Sequence, residues 1–309
     1  MRGGRMYRYK KIMVCLNLDD SDKNLIQYAG ILSNMAESDE IHFVYVSDTF
    51  DVPDDIKKIY PELAPPESAA EERMKEIVEA HFRGHAGSKL IYRSLAGPLL
   101  GLSISYTKKE DIDLLIVGQR NEDESGYDSL AEKLARKAFC SVLIIPEGTS
   151  PVLEKILVSV DFSDHSLNAL DIGSAFAKAA DLDQIYILNI YQVPSGHHKT
   201  GKTYEEFDRI MLANAKSKLR GTLAQADLKS VGIEPFFNNS SNIVDGIHRF
   251  SQQLKADLIV VGARGRSGDI AAILLGSITE GLIRKSDKPL LAVKEKGEGL
   301  NILEAITSE

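Results

Sequence analysis

The sequence predicts an α/β protein of two tandem units, each a parallel five-stranded sheet with helices on both faces. Three observations predict it. Apolar runs alternate with amphipathic stretches, as in KILVSVD followed by HSLNALDIGSAFAKAA. The runs are rich in Val, Ile and Leu and have no polar face, the pattern of parallel strands covered on both sides. The chain also repeats itself. KIMVCLNLDDSD from Lys11 matches KILVSVDFSDHS from Lys155, and DLLIVGQR from Asp113 matches DLIVVGAR from Asp257, both at an offset of 144 residues. SLAEKLARKAFCSVLIIP from Ser129 matches SITEGLIRKSDKPLLAVK from Ser277 at an offset of 148, so the second copy carries four extra residues just before this point. Self-similarity on this scale marks two copies of one folding unit. They are expected over residues 10–147 and 152–296, joined near EGTSP.

The second copy reads in order as follows. KILVSVD is a buried strand and HSLNALDIGSAFAKAA an amphipathic helix. IYILNIYQV is the next strand, and TYEEFDRIMLANAKSKLRGTLAQA the next helix. A shorter strand is expected near EPFFN, then a helix over NIVDGIHRFSQQLKA. DLIVVG, SITEGLIRK and PLLAVK complete the unit as strand, helix and strand. In such a sheet, ligands bind beyond the carboxyl ends of the strands, where the strand order reverses.

The bulk properties narrow the classes of function. A net charge of −8 argues against non-specific attraction to nucleic acid or to an anionic membrane. No apolar run is long enough to span a bilayer, and the IMVCL run near the start is too short for a signal segment. Cys15 and Cys140 lie in strand-like runs and read as buried free thiols. A cytoplasmic protein is expected, with neither nucleic acid nor membrane as partner.

The loop after DLIVVG carries the chemistry. It reads GARGRSGDIAAILLGSITE, with Gly262 closing the strand, Gly265 three residues on, and Gly276 and Ser277 opening a helix. Glycine admits close approach of a phosphate to backbone N–H groups, and a helix start adds oriented donors and partial positive charge. Ser277 can offer its hydroxyl to a phosphate or to Mg²⁺, while Arg264 and Arg266 put cationic charge nearby. This constellation resembles the ATP-binding pattern of the universal stress proteins: Gly, two residues, Gly, nine residues, then Gly and Ser or Thr. Ten residues rather than nine separate Gly265 from Gly276 here. The resemblance covers both copies and implies a Rossmann-like fold of the adenine nucleotide alpha hydrolase type. It implies that Asp161 contacts adenine, that Ile190, the apolar residue near the end of the second strand, belongs to the site, and that ATP is the cofactor, with or without Mg²⁺. The expected nucleotide-binding set is Asp161, Ile190, Gly262, Arg264, Gly265, Gly276, Ser277 and Ile278. The resemblance also implies that the linked copies mimic a homodimer, with pairing of two chains open beside it, and that the protein partners are unidentified.

The first copy departs at these positions. Asn17 stands for Asp161, Asn121 for Gly265 and Asp128 for Gly276, while Gly118 and Arg120 are kept. Glu122, Asp123, Glu124 and Asp128 would repel a triphosphate, by about 4 kcal/mol per charge pair at about 4 Å. The first copy is therefore expected to bind no ATP.

Two other patterns compete. GHHKTGKT, residues 196–203, fits the P-loop spelling G-x-x-x-x-G-K-S/T. A P-loop should follow the first strand of its fold and be served by a later strand ending in Asp, and neither condition holds. Thr203 with Glu206 also fits a capping box, which explains Thr203 without nucleotide. The same loop could instead hang over the glycine site with Lys199 or Lys202 near its phosphates. His81 and His85 are four apart on an expected helix, and His197 and His198 are adjacent; metal is not expected at either pair. No nucleophile constellation is present, so no catalytic residue is assigned. Slow ATP turnover, a kinase or ATPase working through Lys202, and a nucleotide-independent interaction module are the alternatives to a nucleotide-dependent regulator of the stress response.

Overall fold

A computed structural model of the chain describes residues 8–47, 54–60, 67–119, 129–264 and 275–295. The chain divides into two compact units between Pro151 and Val152.

The first unit runs β1 (Lys11–Leu16), α1 (Asp22–Ala36), β2 (Glu40–Ser47), α2 (Asp54–Ile59), α3 (Glu67–His81), β3 (Lys89–Ala96), α4 (Leu99–Lys109), β4 (Leu114–Gln119), α5 (Leu130–Lys137) and β5 (Ser141–Pro146). Its strands lie in the order β3-β2-β1-β4-β5, all parallel. The second unit runs β6 (Ile156–Ser159), α6 (Asp164–Ala179), β7 (Gln184–Tyr191), a 3-10 turn (Ser195–Thr200), α7 (Tyr204–Leu223), β8 (Gly232–Asn239), α8 (Ile243–Leu254), β9 (Leu258–Gly262), α9 (Ser277–Lys285) and β10 (Leu290–Val293). Its parallel order is β8-β7-β6-β9-β10. In both units the order reverses beside the first strand, between β1 and β4 and between β6 and β9.

The central strands carry the core. Ile12, Leu114 and Leu115 in the first unit, and Ile156, Leu157 and Ile259 in the second, are fully buried. Burying such a side chain contributes roughly 1.5–3 kcal/mol, so the uniform apolar runs are the main source of each unit's stability.

Three expectations need correction. The strand around EPFFN is as long as β7, eight residues each, and Pro235 lies within it opposite Ile187. Proline is tolerated there because β8 ends the order of its unit and needs no ladder donor on its outer side. Cys140 is buried, but Cys15 is partly exposed; neither is in a disulfide. His81 ends α3, and residues 82–85 are not helical, so His81 and His85 do not share a helix face.

Candidate functional site

The β6/β9 switch point opens into a cleft of about 370 Å³. Four segments build it. The first is the end of β6. Val160 is buried, and Asp161 follows at the mouth of the turn into α6. The Asp161 carboxylate accepts hydrogen bonds from the Ser163 amide at 3.1 Å and the Ser163 hydroxyl at 2.5 Å. Ser163 in turn caps α6 by accepting from the Ser166 amide. These bonds fix a turn whose middle residue, Phe162, sits at φ 66°. Asp161 is thereby held at the mouth of the cleft by its own neighbours.

The second segment is the end of β7. Ile190 and Asn189 both line the cleft, and Ile243, at the start of α8, faces them there. Asn189 is 5% exposed, and its Nδ2 donates to the Val160 carbonyl at 2.8 Å, tying β7 to the residue before Asp161.

The third and fourth segments are the end of β9 and the start of α9. Val261, Gly262 and Arg264 come from the first; Gly276, Ser277, Ile278 and Thr279 come from the second. Two bonds join them. The Gly276 amide donates to the Ala263 carbonyl at 2.8 Å, and the Thr279 hydroxyl donates to the Gly262 carbonyl at 3.0 Å. Gly276 is the N-cap of α9, at φ −71° and ψ 144°, and supplies no side-chain cap. The first turn of a helix has backbone N–H groups with no partner inside the helix, and this cap does not cover them. The helix start, with Arg264 beside it, makes one end of the cleft attractive to anions.

Seven of the eight expected residues thus line one cleft: Asp161, Ile190, Gly262, Arg264, Gly276, Ser277 and Ile278. Gly265 lies outside the described residues. Gly262 has a role the sequence did not reveal. A Cβ there would meet the His165 backbone at 2.7 Å, so this glycine lets α6 close on β9. Val160, Ser166, Asn189, Ile243 and Thr279 were not anticipated. Only Asn189 left a signal, as a lone amide in the apolar run IYILNIY.

The first unit treats the same place differently. A small cavity of about 40 Å³ there, lined by Asn17, Leu25, Gly118, Ile145 and Pro146 among others, lies between α1 and the ends of β4 and β5 and shares only the positions of Asn17 and Gly118 with the second-unit cleft. Leu25 stands where the second unit has Ala169, and its side-chain tips approach Gly118 to about 3.5 Å of a built Cβ. Asp22, at the position of Ser166, reaches back to the turn. Its Oδ1 accepts from the Asn17 amide at 2.9 Å and its Oδ2 from the Leu18 amide at 2.7 Å. At the helix that follows β4, Ser129 is the N-cap of α5 and its hydroxyl accepts from the Glu132 amide at 3.1 Å. In the second unit the matching Ser277 is the first helical residue, one place inside the cap. The acidic run at Glu122, Asp123, Glu124 and Asp128, with Arg120 and Asn121, lies outside the described residues.

Asp22 is fully buried, and that burial pushes its carboxyl from 3.8 up to about 6, against the lowering effect of the two amide donors. The folded state therefore holds this proton more tightly than the unfolded state. The protonated form adds stability that is fully present below about 3.8 and is lost as pH rises through about 6. Relative to Asp22→Asn, the wild type is expected to gain stability between pH 7 and pH 5, read by amide exchange in β1. Parallel pH profiles for the two proteins would show that Asp22 does not titrate in this range.

GHHKTGKT forms no phosphate cradle. It lies after the second strand of its unit, as a 3-10 turn ended by Gly201 at φ 71°. The His197 and Gly201 amides are taken by the Pro194 and His198 carbonyls. Thr203 and Glu206 form the capping box of α7, with reciprocal bonds of 3.2 and 2.9 Å. No residue of 194–203 lines the cleft. His197 and His198 each turn Nδ1 to a backbone carbonyl, and among the described residues no group of three or more His, Cys, Asp or Glu could hold a metal ion. Among the described residues no helix is long and apolar enough to cross a membrane.

Comparison with known proteins follows the same division. The model of the universal stress protein family matches residues 8–146 and again 153–294. Universal stress protein MJ0577 of Methanocaldococcus jannaschii is 30% identical over 166 residues, covering 48% of this chain and 98% of its own length. Universal stress protein MJ0531 of the same organism is 28% identical over 168 residues, covering 52% and 94%. Each relative thus corresponds to about half of this chain. A universal stress protein from Archaeoglobus fulgidus aligns over 93% of this chain and 96% of its own, with a TM-score of 0.65 at 18% identity. At that identity the likeness speaks for the fold, an α/β arrangement repeated over both units.

Proposed function

The chain belongs to the universal stress protein family, and we propose on that ground that its second half binds one ATP in the cleft between β6 and β9, while its first half binds none. The observation that carries this reading is the second-unit cleft of about 370 Å³, within the range of small-molecule sites, lined by Asp161, Gly276 and Ser277, where the first copy has Asn17, Asp128 and a Ser129 engaged as the N-cap of α5. In this reading Asp161, Ile190 and Ile243 surround the base. Gly276, Ser277 and Ile278 present the start of α9 to the phosphates, with Arg264 alongside. The Ser277 hydroxyl, not used as a cap, suits a phosphate oxygen or a Mg²⁺ ion carried by the phosphates. The bound nucleotide then acts as a regulatory ligand, biasing which proteins the chain contacts during stress. Two cysteines outside any disulfide fit work in a reducing cytoplasm.

Calorimetric titration with ATP tests the reading. One site per chain is expected for the wild type, and the same site, with the same affinity within about twofold, for Lys202→Ala. Lys202 is exposed and outside the cleft. Two sites per chain, or none at millimolar ATP, would overturn the reading. Loss of binding in Lys202→Ala would move the nucleotide to the GHHKTGKT loop.

A further inference from the structure

The two units begin the helix after their fourth strand in different ways. In the first, the Ser129 hydroxyl caps α5 by accepting from the Glu132 amide at 3.1 Å. In the second, Gly276 caps α9 without a side chain. The first bond inside α9 runs from the Glu280 amide to the Gly276 carbonyl at 3.0 Å. The amides of Ser277, Ile278 and Thr279 come before it and have no acceptor within the helix. A helix start left open in this way gives up the stability that a side-chain cap supplies. Thr279 holds this one from the side instead. It is 3% exposed, and its hydroxyl donates to the Gly262 carbonyl at 3.0 Å.

That carbonyl stands where β9 has lost a neighbour. The Ile259 and Ala263 amides bond to the Pro289 and Val293 carbonyls on the β10 side. Backbone groups alternate between the two neighbours of a strand, so Gly262 turns its own toward β6. The pairing of β6 with β9 ends at Val158 opposite Val260, and Gly262 lies two residues beyond it, at the switch point. Gly262 and Thr279 both line the cleft. The matching residues of the first unit are Gly118 and Ala131. Ala131 has no hydroxyl, so that unit cannot make the bond. The side anchor occurs where the helix end is open and is lacking where the end is capped.

We propose that Thr279 is a positioning residue: it pins the open start of α9 to the end of β9, and so gives the site its grip on phosphate and its preference for a nucleotide over the bare nucleoside. The inference rests on the reading of the second-half cleft as an ATP site. Anion attraction at a helix start falls off within the first turn, so it depends on where that turn is held. A base and ribose draw on other parts of the cleft, the ends of β6 and β7, which Thr279 does not touch.

Binding of ATP and of adenosine to wild type, Thr279→Val and Thr279→Ser tests the proposal. Calorimetry reads ATP, and ligand-observed NMR at millimolar concentration reads adenosine. Valine keeps the shape of threonine and removes the donor; serine keeps the donor. Thr279→Val is expected to weaken ATP by about tenfold, the scale of one lost buried hydrogen bond, and to leave adenosine within about twofold. Thr279→Ser should restore ATP binding to within about threefold of the wild type. Equal weakening of both ligands by Thr279→Val, or no change in either, would overturn the proposal. So would a serine variant that behaves like valine, or a valine variant that melts far below the wild type and binds neither ligand, since the hydroxyl would then serve the fold alone. A wild type that binds adenosine as tightly as ATP would overturn it while leaving a site for the base. A wild type that binds neither would overturn the ATP reading and this inference with it.

Discussion

Gly276→Asp is expected to abolish nucleotide binding in the second half while leaving its thermal stability unchanged or slightly raised. The two effects part because Gly276 holds two roles in one place. As N-cap of α9 it sits at φ −71° and ψ 144°, a conformation any residue adopts, and it offers no side chain to the helix. Aspartate is among the best N-cap residues and gains only a few tenths of a kcal/mol over glycine there. The same carboxylate would cover the helix start and set a negative charge against the phosphates, at a cost of several kcal/mol if the charges come within about 4 Å in a partly screened site. A fall in affinity of more than about 100-fold is therefore expected. Calorimetry reads the binding and a thermal melt reads the fold. Binding that survives the substitution would place the nucleotide elsewhere; binding lost together with a large drop in Tm would mean that Gly276 serves the fold rather than the ligand.

The second large effect concerns the paired glycines at the ends of β4 and β9. Gly262→Ala is expected to destabilise the second unit by about 1–3 kcal/mol, the usual penalty of forcing an atom into a packed contact. The added Cβ would stand 2.7 Å from the carbonyl carbon and oxygen of His165, and backbone cannot swing aside as a side-chain tip can. Gly118→Ala is expected to be tolerated within about 0.5 kcal/mol, in the range of substitutions that meet no special feature. There the nearest atoms are the Leu25 methyl carbons at 3.5 and 3.7 Å, ordinary contact distances. Urea denaturation followed by hydrogen exchange in each unit separates the two results. Equal losses for both variants would show that α6 yields easily to the added atom. ATP affinity should fall in Gly262→Ala as well, since displacing α6 moves the turn that holds Asp161.

The fold was legible because strand runs such as LIVV and LLIV are apolar on both faces and amphipathic helices separate them. The repeat then made each half a check on the other. Pro235 obscured the length of β8, because a proline reads as punctuation until the strand is known to be an edge. Within the cleft, Asp161, Gly276 and Ser277 could be named from their spacing relative to strands and from family likeness. Ile243 and Thr279 could not. They reach the cleft only through the crossover that brings α8 beside β7 and through the bond from Thr279 to the Gly262 carbonyl. Gly262 was recognised as a required glycine, but for an approaching ligand rather than an approaching helix. The distinction needs the position of His165, which no local pattern encodes. Asn189 was visible as an interruption of its strand, yet a polar residue in a strand says nothing of which carbonyl its amide will meet.

The helix that follows the fourth strand begins one residue earlier in the second unit than in the first, relative to the shared serine. In the first unit Ser129 closes its helix by accepting from the Glu132 amide, so its hydroxyl is part of the local fold. Meanwhile Asp22 has taken over the turn after β1, and Leu25 fills space beside it. The Asp22 and Ser129 bonds are separate contacts, and each spends a polar group on the first unit's own backbone. Reverting Asp22 or Ser129 to the arrangement of the second unit would therefore give up a bond of the local fold, so the two copies tolerate substitution unequally at positions they share.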